Sequence, residues 1–164
     1  SEIIKGKEEN VNEKSTGDLE KELLSAYPKD IAAFIAKNKD EMIDSNSRSF
    51  TDYMSRTIKE KGLQKQDVFL QADIPQGYGY KLLSEEKHTR QRDAILRICY
   101  AAGFNLDETQ HALKLYRMEE LYARVSRDAL IMACFNNRPG SIIEVNELLL
   151  KNKMEPLRSS GIQD

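Results

Sequence analysis

Two histidines, two cysteines and a Gly-x-Gly are the residues from which this 164-residue chain could build ligating or reactive chemistry. Their spacing argues against each use. His88 and His111 do not form a His-x-x-x-His motif with each other or with any further histidine, and both are expected on polar helix surfaces. Cys99 and Cys134 each sit inside an apolar stretch without a Cys-x-x-Cys partner, which fits two buried reduced thiols rather than a disulfide framework or a zinc site. Gly77-Tyr78-Gly79 lacks a third glycine and a preceding strand, so it is not a dinucleotide loop. There is no Gly-Lys-Ser/Thr phosphate loop, and local motifs spell no Ser/His/Asp or Cys/His set. The expectation is a protein that is not an enzyme and uses no cofactor and no metal. The tyrosines at 78, 80, 100, 116 and 122 could stack on bases, but several fall at helical core spacing, where packing is the stronger reading.

Charge leaves nucleic acid open as a partner. Hydrophobic residues make up 40% and charged residues 32%, the balance of a folded, well-solvated chain. The net charge is −2, but its distribution is uneven. Residues 1–45 hold 7 Lys/Arg against 11 Asp/Glu, residues 46–92 hold 9 against 6, and residues 93–164 hold 9 against 10. A small phosphate-binding face in the basic middle third is compatible with these numbers. No apolar run approaches the ~20 residues of a membrane helix, and the first residues lack a signal-peptide pattern. No membrane association and a cytoplasmic location are expected.

The elements that would carry such a face are all helical. Residues 1–17 read as a disordered leader. Residues 18–45 read as an acidic helical arm: Leu19, Leu23 and Leu24 share one face, Pro28 opens a second helix carrying Ile31, Phe34, Ile35 and Met42, and both stripes need cover. Ser45-Asn46-Ser47 reads as a linker. From 46 to 118 five helices are expected. The first is capped by Ser49 with Asp52, turns Phe50, Tyr53, Met54 and Ile58 inward, and ends at Gly62. A short helix from Gln64 to Ala72 buries Val68 and Phe69. Asp73-Ile74-Pro75 breaks the chain before a third helix, Gln76 to Ser84, anchored by Leu82 and Leu83. Thr89 opens a fourth, with Ile95, Ile98, Cys99 and Ala102 inward, ending at Gly103. Asn105, with Glu108 three residues on, caps a fifth that buries Leu106, Leu113 and Tyr116.

Residues 119–156 read as a C-terminal helical extension. Ser126 caps a helix with a wide apolar arc (Ala129, Leu130, Met132, Ala133, Cys134, Phe135). Arg138-Pro139-Gly140 stops it, and Ser141 with Glu144 opens a last helix burying Ile142, Val145, Leu148 and Leu149. Residues 157–164 read as a tail, and the spacing shows no internal repeat. The fold class is all-α.

Between residues 49 and 117 a long helix is followed by a short one, a turn of three or four residues, another short helix and two more. This is the rhythm of a helix-turn-helix in a five-helix domain. Here the stretch from Leu63 to Leu83 resembles the XRE-type, lambda-repressor-like family of bacterial and phage regulators. Leu63 matches the leucine before the bracing helix, Val68 its core aliphatic, and Ile74 the apolar turn residue. Tyr78 and Leu82 match core positions of the recognition helix, and Phe104-Asn105-Leu106-Asp107-Glu108 resembles the entry to the fifth helix. The likeness covers roughly residues 48–118. Departures are Lys65 where glutamine is usual, Phe69 where a small residue is usual, Asp73 where glycine is favoured, and the absence of another favoured glycine near Glu85. Phe69 is therefore expected to push the two short helices apart, and Asp73 to take the left-handed turn conformation. Gly79 is expected to weaken its helix.

The resemblance implies a sequence-specific regulator that binds double-stranded DNA. On that analogy Gln76, Gly77, Tyr80 and Lys81 face the major groove, with glutamine reading adenine and lysine reading guanine. Lys65, Lys87, Thr89, Arg90 and Arg92 touch phosphates, helped by a helix N-terminus at Thr89. A homodimer through the C-terminal helices would match a palindromic operator. The alternative is a degenerate helix-turn-helix that binds a protein partner and no DNA, favoured by the acidic arm, Phe69, Asp73 and the Glu85-Glu86 pair.

Overall fold

The computed structural model describes residues 14–42 and 49–158, and among them every regular element is helical. Residues 1–13 of the leader, the Ser45-Asn46-Ser47 linker and residues 159–164 of the tail lie outside the described residues. The chain divides into two units between Ser47 and Arg48.

The smaller unit holds α1 (Thr16–Leu23) and α2 (Ile31–Lys37), the latter entered through a 3₁₀ turn at Pro28–Asp30 and followed by another at Lys39–Glu41. The first helix starts ahead of the expected Asp18. Ser15 accepts from the Asp18 N–H at 3.1 Å while the Asp18 carboxylate accepts from the Ser15 N–H at 3.1 Å, a capping box that absorbs residues 15–17 of the leader. What ties α1 to α2 is polar. Asn38, only 2% exposed, donates to Glu22 Oε2 at 2.9 Å and to the Phe34 carbonyl at 3.0 Å. The Lys14 ammonium donates to both Glu22 and Asn38. Leu23, Leu24, Tyr27, Ile31 and Ile35 remain exposed, and neither helix buries a residue.

The larger unit contains α3 (Ser49–Glu60), α4 (Lys65–Ala72), α5 (Gln76–Leu83), α6 (Arg92–Ala101), α7 (Leu106–Leu115), α8 (Ser126–Asn136) and α9 (Ile142–Lys151). Of the segments expected as separate regions, 46–118 from Arg48 onward and 119–156 entirely fall in this one unit. Its axis is α6, where seven consecutive residues from Ala94 to Tyr100 are buried. Phe50, Met54 and Ile58 of α3, Val68 and Phe69 of α4, and Leu82 of α5 join its core. Gly62 and Gly103 end α3 and α6 with φ of 74° and 75°, as glycine allows and other residues resist. Asn105–Glu108 and Ser141–Glu144 form the expected capping boxes. Three helix starts differ from expectation. Ser49 and Ser126 are first helical residues rather than caps, with Val125 capping α8. The fourth helix of the unit begins at Arg92, not Thr89.

Contrary to the reading of the sequence, the larger unit contains a repeat. The hairpin α6–α7 corresponds to α8–α9 residue by residue, with an offset of 35 that becomes 36 after a loop longer by one. Arg92-Asp93-Ala94 matches Arg127-Asp128-Ala129, and Cys99-Tyr100 matches Cys134-Phe135. Asn105 and Glu108 match Ser141 and Glu144, Arg117-Met118-Glu119 matches Lys153-Met154-Glu155, and Leu121 matches Leu157.

The hydrogen bonds repeat with the residues. Arg117 and Lys153 both take φ near the left-handed region, 63° and 59°. The next amides, of Met118 and Met154, both bond back at 2.9 Å, to Leu113 and Leu149. Gln110 accepts the Leu121 N–H and Asn146 accepts the Leu157 N–H, each at 2.8 Å. Between the copies the arginines are exchanged: Arg92 pairs with Asp128 at 2.5 Å, and Arg127 pairs with Asp93 at 2.9 Å. Asp128 also accepts the Tyr122 N–H and Asp93 the Arg158 N–H. The hairpins thus meet as a self-complementary pair within one chain. A consequence is that Leu157 is buried and Arg158 is bonded through its backbone, so the expected tail does not begin at 157. The repeat is faint in the sequence because few residues are identical between the copies and the loop between the helices differs in length by one.

Candidate nucleic-acid interface

The candidate face is built on α4, the turn after it and α5. Asp73 ends α4 in the left-handed conformation, φ 54° and ψ 50°. Its short side chain tolerates this region better than most. The Ile74 N–H then reaches back to the Phe69 carbonyl at 3.0 Å, and the Ile74 side chain is buried, which anchors the turn. Pro75, with its fixed φ, leads into α5.

The α5 helix divides cleanly between two faces. Gly79, Leu82 and Leu83 are buried. Gln76, Gly77, Tyr80 and Lys81 are exposed, and a Cβ at Gly77 would meet nothing within 4 Å. Gly79 explains how Phe69 fits. A Cβ at residue 79 would lie 2.5 Å from Phe69 Cδ1, so the ring occupies the space that any other residue would fill. Phe69 is therefore accommodated by a missing side chain on α5. The Tyr80 ring meets Phe69 edge-on at 5.1 Å, which leaves its outer part on the surface.

The sequence expected five phosphate contacts, and the structure corrects two of them. Thr89 is 0% exposed: its N–H donates to the Tyr116 hydroxyl at 2.8 Å and its Oγ1 accepts the Gln91 N–H at 2.9 Å. It is a buried joint before α6, and the helix N-terminus expected beside it lies at Arg92. Arg92 in turn is committed to Asp128 and to the carbonyls of Glu119 and Glu120. Lys65 is half-buried, whereas Lys87 and Arg90 are exposed. The Lys87 ammonium sits over the Tyr78 ring at 5.2 Å, and the Lys87 backbone N–H donates to the Lys81 carbonyl at 3.0 Å, so the segment after α5 folds back on the helix. Glu85 takes φ 60° in that segment, where the family resemblance places a glycine nearby. Glu85 and Glu86 are exposed. A shallow depression of about 310 Å³ beside Arg90 is lined also by Arg92, Met118, Glu119, Val125 and Asp128. Its charges are largely neutralised by the Arg92–Asp128 pair.

Sequence reasoning missed Arg97. Only 4% exposed, it donates to the Ala72 carbonyl at 3.1 Å, the Leu157 carbonyl at 2.8 Å and the Arg158 carbonyl at 2.7 Å. It ties the last residue of α4 to the end of the second hairpin. Burial holds its guanidinium below the ordinary value, with the Asp73 and Asp93 charges opposing that shift. The available signal was a lone charge inside the apolar run from Ala94 to Ala101.

His88 lies on the surface with its ring stacked on Tyr116 at 4.2 Å, and His111 is half-buried, edge-on to Tyr53. Both cysteines are buried and form no disulfide, and burial pushes both thiols up, away from thiolate chemistry at neutral pH. Among the described residues no group of three or more His, Cys, Asp or Glu could hold a metal ion, and no helix is long and apolar enough to cross a membrane. No family model, curated protein or solved structure matches the chain.

Proposed function

We propose that the chain is a sequence-specific regulator that binds double-stranded DNA through α4 and α5, used as a helix-turn-helix of the lambda-repressor-like kind. The observation that carries this reading is the division of α5. Its inner side is held by Gly79, Leu82 and Leu83, while Gln76, Gly77, Tyr80 and Lys81 stand outward on an eight-residue rod. A rod gripped from behind with amide and ammonium groups in front has the form needed to enter a major groove. Lys65, Lys87 and Arg90 remain as the phosphate-contacting set once Thr89 and Arg92 are removed. The tyrosine and the open backbone at Gly77 allow close approach to base edges.

The test is binding to a randomised duplex library. An enriched motif is expected, Gln76→Ala and Lys81→Ala should relax preference at particular positions, and Lys65→Ala should weaken all sequences alike. An unselected library sinks the reading. The second reading, a protein-binding module without DNA contact, draws support from Leu70, which is 76% exposed on α4, and from the exposed Glu85-Glu86 pair. An exposed apolar side chain and an exposed pair of carboxylates each suit a protein surface better than a phosphate backbone.

A further inference from the structure

The walls of the depression beside Arg90 come from three segments: Arg90 just before α6, Met118 and Glu119 just after α7, and Val125 just before α8. Each segment is pinned. Thr89, next to Arg90, is buried and accepts the Gln91 N–H at 2.9 Å. The Glu119 carbonyl accepts from Arg92 at 3.5 Å, and the Val125 N–H donates to the Tyr122 carbonyl at 2.9 Å. Of the other lining residues, Arg92 and Asp128 pair with each other. Two charges then remain on the walls, Arg90 and Glu119, both exposed. Among the described residues neither forms an ion pair, although both line one cavity. Met118, packed against the core, and Val125, 46% exposed, supply apolar surface beside them.

We propose that this depression binds a free α-amino acid with an apolar side chain. A guanidinium and a carboxylate that line one cavity without meeting call for a ligand that carries both opposite charges. Arg90 takes the ligand carboxylate through its parallel N–H donors. Glu119 takes the ammonium, and Met118 and Val125 take the side chain. Other ligand classes leave one wall charge facing its like or unused. A phosphate or a simple carboxylic acid meets Glu119, an amine meets Arg90, and a neutral sugar answers neither. The cavity, about 310 Å³, lies at the lower end of small-molecule sites, which suits so small a ligand. Its walls are shallow and wet, so the dissociation constant is about 1 mM. Arg90 also belongs to the phosphate-contacting set, so an occupied site withdraws it from DNA. That consequence rests on the proposed DNA reading; the site itself does not, and its test uses no DNA.

Titration of the isotope-labelled full chain with L-leucine, L-methionine and L-valine to about 20 mM, followed by NMR, reads the site directly. Saturating shifts are expected at Arg90, Met118, Glu119, Val125 and their neighbours. N-acetyl-L-leucine lacks the ammonium and L-leucinamide lacks the carboxylate, and each should bind about 10-fold or more weakly than L-leucine. These two probes leave the protein unaltered, so they decide the matter even if a variant misfolds. Arg90→Gln and Glu119→Gln change exposed side chains, should keep the helical circular dichroism, and should each weaken L-leucine about 10-fold. Absence of shifts with all three amino acids overturns the proposal. So do shifts that either analogue reproduces at equal concentration, or that survive both substitutions unchanged. A chain that binds duplex DNA and no amino acid loses this inference alone.

Discussion

Gly79→Ala isolates the contact that fits α5 onto α4. Alanine is favoured over glycine in a helix interior by about 1 kcal/mol, so in an unpacked helix the change would stabilise. Here the new methyl lies 2.5–2.7 Å from three atoms of the Phe69 ring, which is itself 1% exposed and held edge-on by Tyr80. Contacts this close put the cost of overpacking in the upper part of its usual range, about 2–3 kcal/mol. The expected net loss is about 1–2 kcal/mol once the propensity gain is set against it. Phe69→Ala alone should lose about 3–5 kcal/mol by opening a cavity. In that background the methyl at 79 enters vacated space, and Gly79→Ala should stabilise by about 1 kcal/mol. The two changes are therefore coupled by about 2–3 kcal/mol with opposite signs in the two backgrounds. Urea denaturation of the four proteins measures the cycle. A Gly79→Ala protein as stable as the wild type, or additive energies, refutes the argument.

Three further outcomes follow from the same geometry. Asp128 is less exposed than Asp93, 5% against 15% of the side chain; Asp128→Ala should cost about 3 kcal/mol and Asp93→Ala about half that in chemical denaturation, because loss of the buried carboxylate leaves the Arg92 charge without its counter-ion and the Tyr122 N–H without its acceptor. Arg97→Met, which installs the residue found at the matching position of the second hairpin, strips three carbonyls of their donor and should destabilise by about 2–3 kcal/mol; faster hydrogen exchange at Leu157 would accompany it. In the smaller unit the Lys14 hydrogen bond, then Asn38, holds the Glu22 carboxyl below its ordinary 4.5. A depressed carboxyl stabilises above that value and loses its contribution as pH falls through the folded value. NMR of the Asn38 side-chain amide should show this polar knot loosening only as pH falls below the ordinary carboxyl value, and Lys14→Ala should diminish that acid dependence.

The helices were legible because their signals are local. Apolar residues at helical spacing, Gly62 and Gly103 at positive φ, and the Asn105 and Ser141 capping boxes each act within a turn or two of chain. Helical spacing likewise puts Leu82 and Leu83 inside α5, whereas the set Gln76, Gly77, Tyr80 and Lys81 rests on the resemblance, and all four are exposed. What escaped depends on residues far apart. Thr89 was read as a surface cap, but Tyr116, 27 residues on, supplies the hydroxyl that buries it. Arg92 was read as a free cation, but its partner Asp128 belongs to the other hairpin. Phe69 reads in the sequence as a departure from the family pattern and Gly79 as a weak point of its helix, although the absent side chain of one makes room for the ring of the other. Leu157 was read as tail because nothing nearby in the chain shows that Asn146 and Arg97 hold its backbone.

The account rests on α5 presenting its outer face to duplex DNA, and the salt dependence of that binding tests it most directly. Lys65, Lys87 and Arg90 as phosphate contacts predict a slope of log affinity against log salt of about −3 for one chain and about −5 for a pair on two half-sites. Affinity for duplex DNA that falls along such a slope, and less steeply in Arg90→Ala by about one unit per chain, is the expected result. No duplex binding at about 50 mM salt, or an affinity indifferent to salt, contradicts the account.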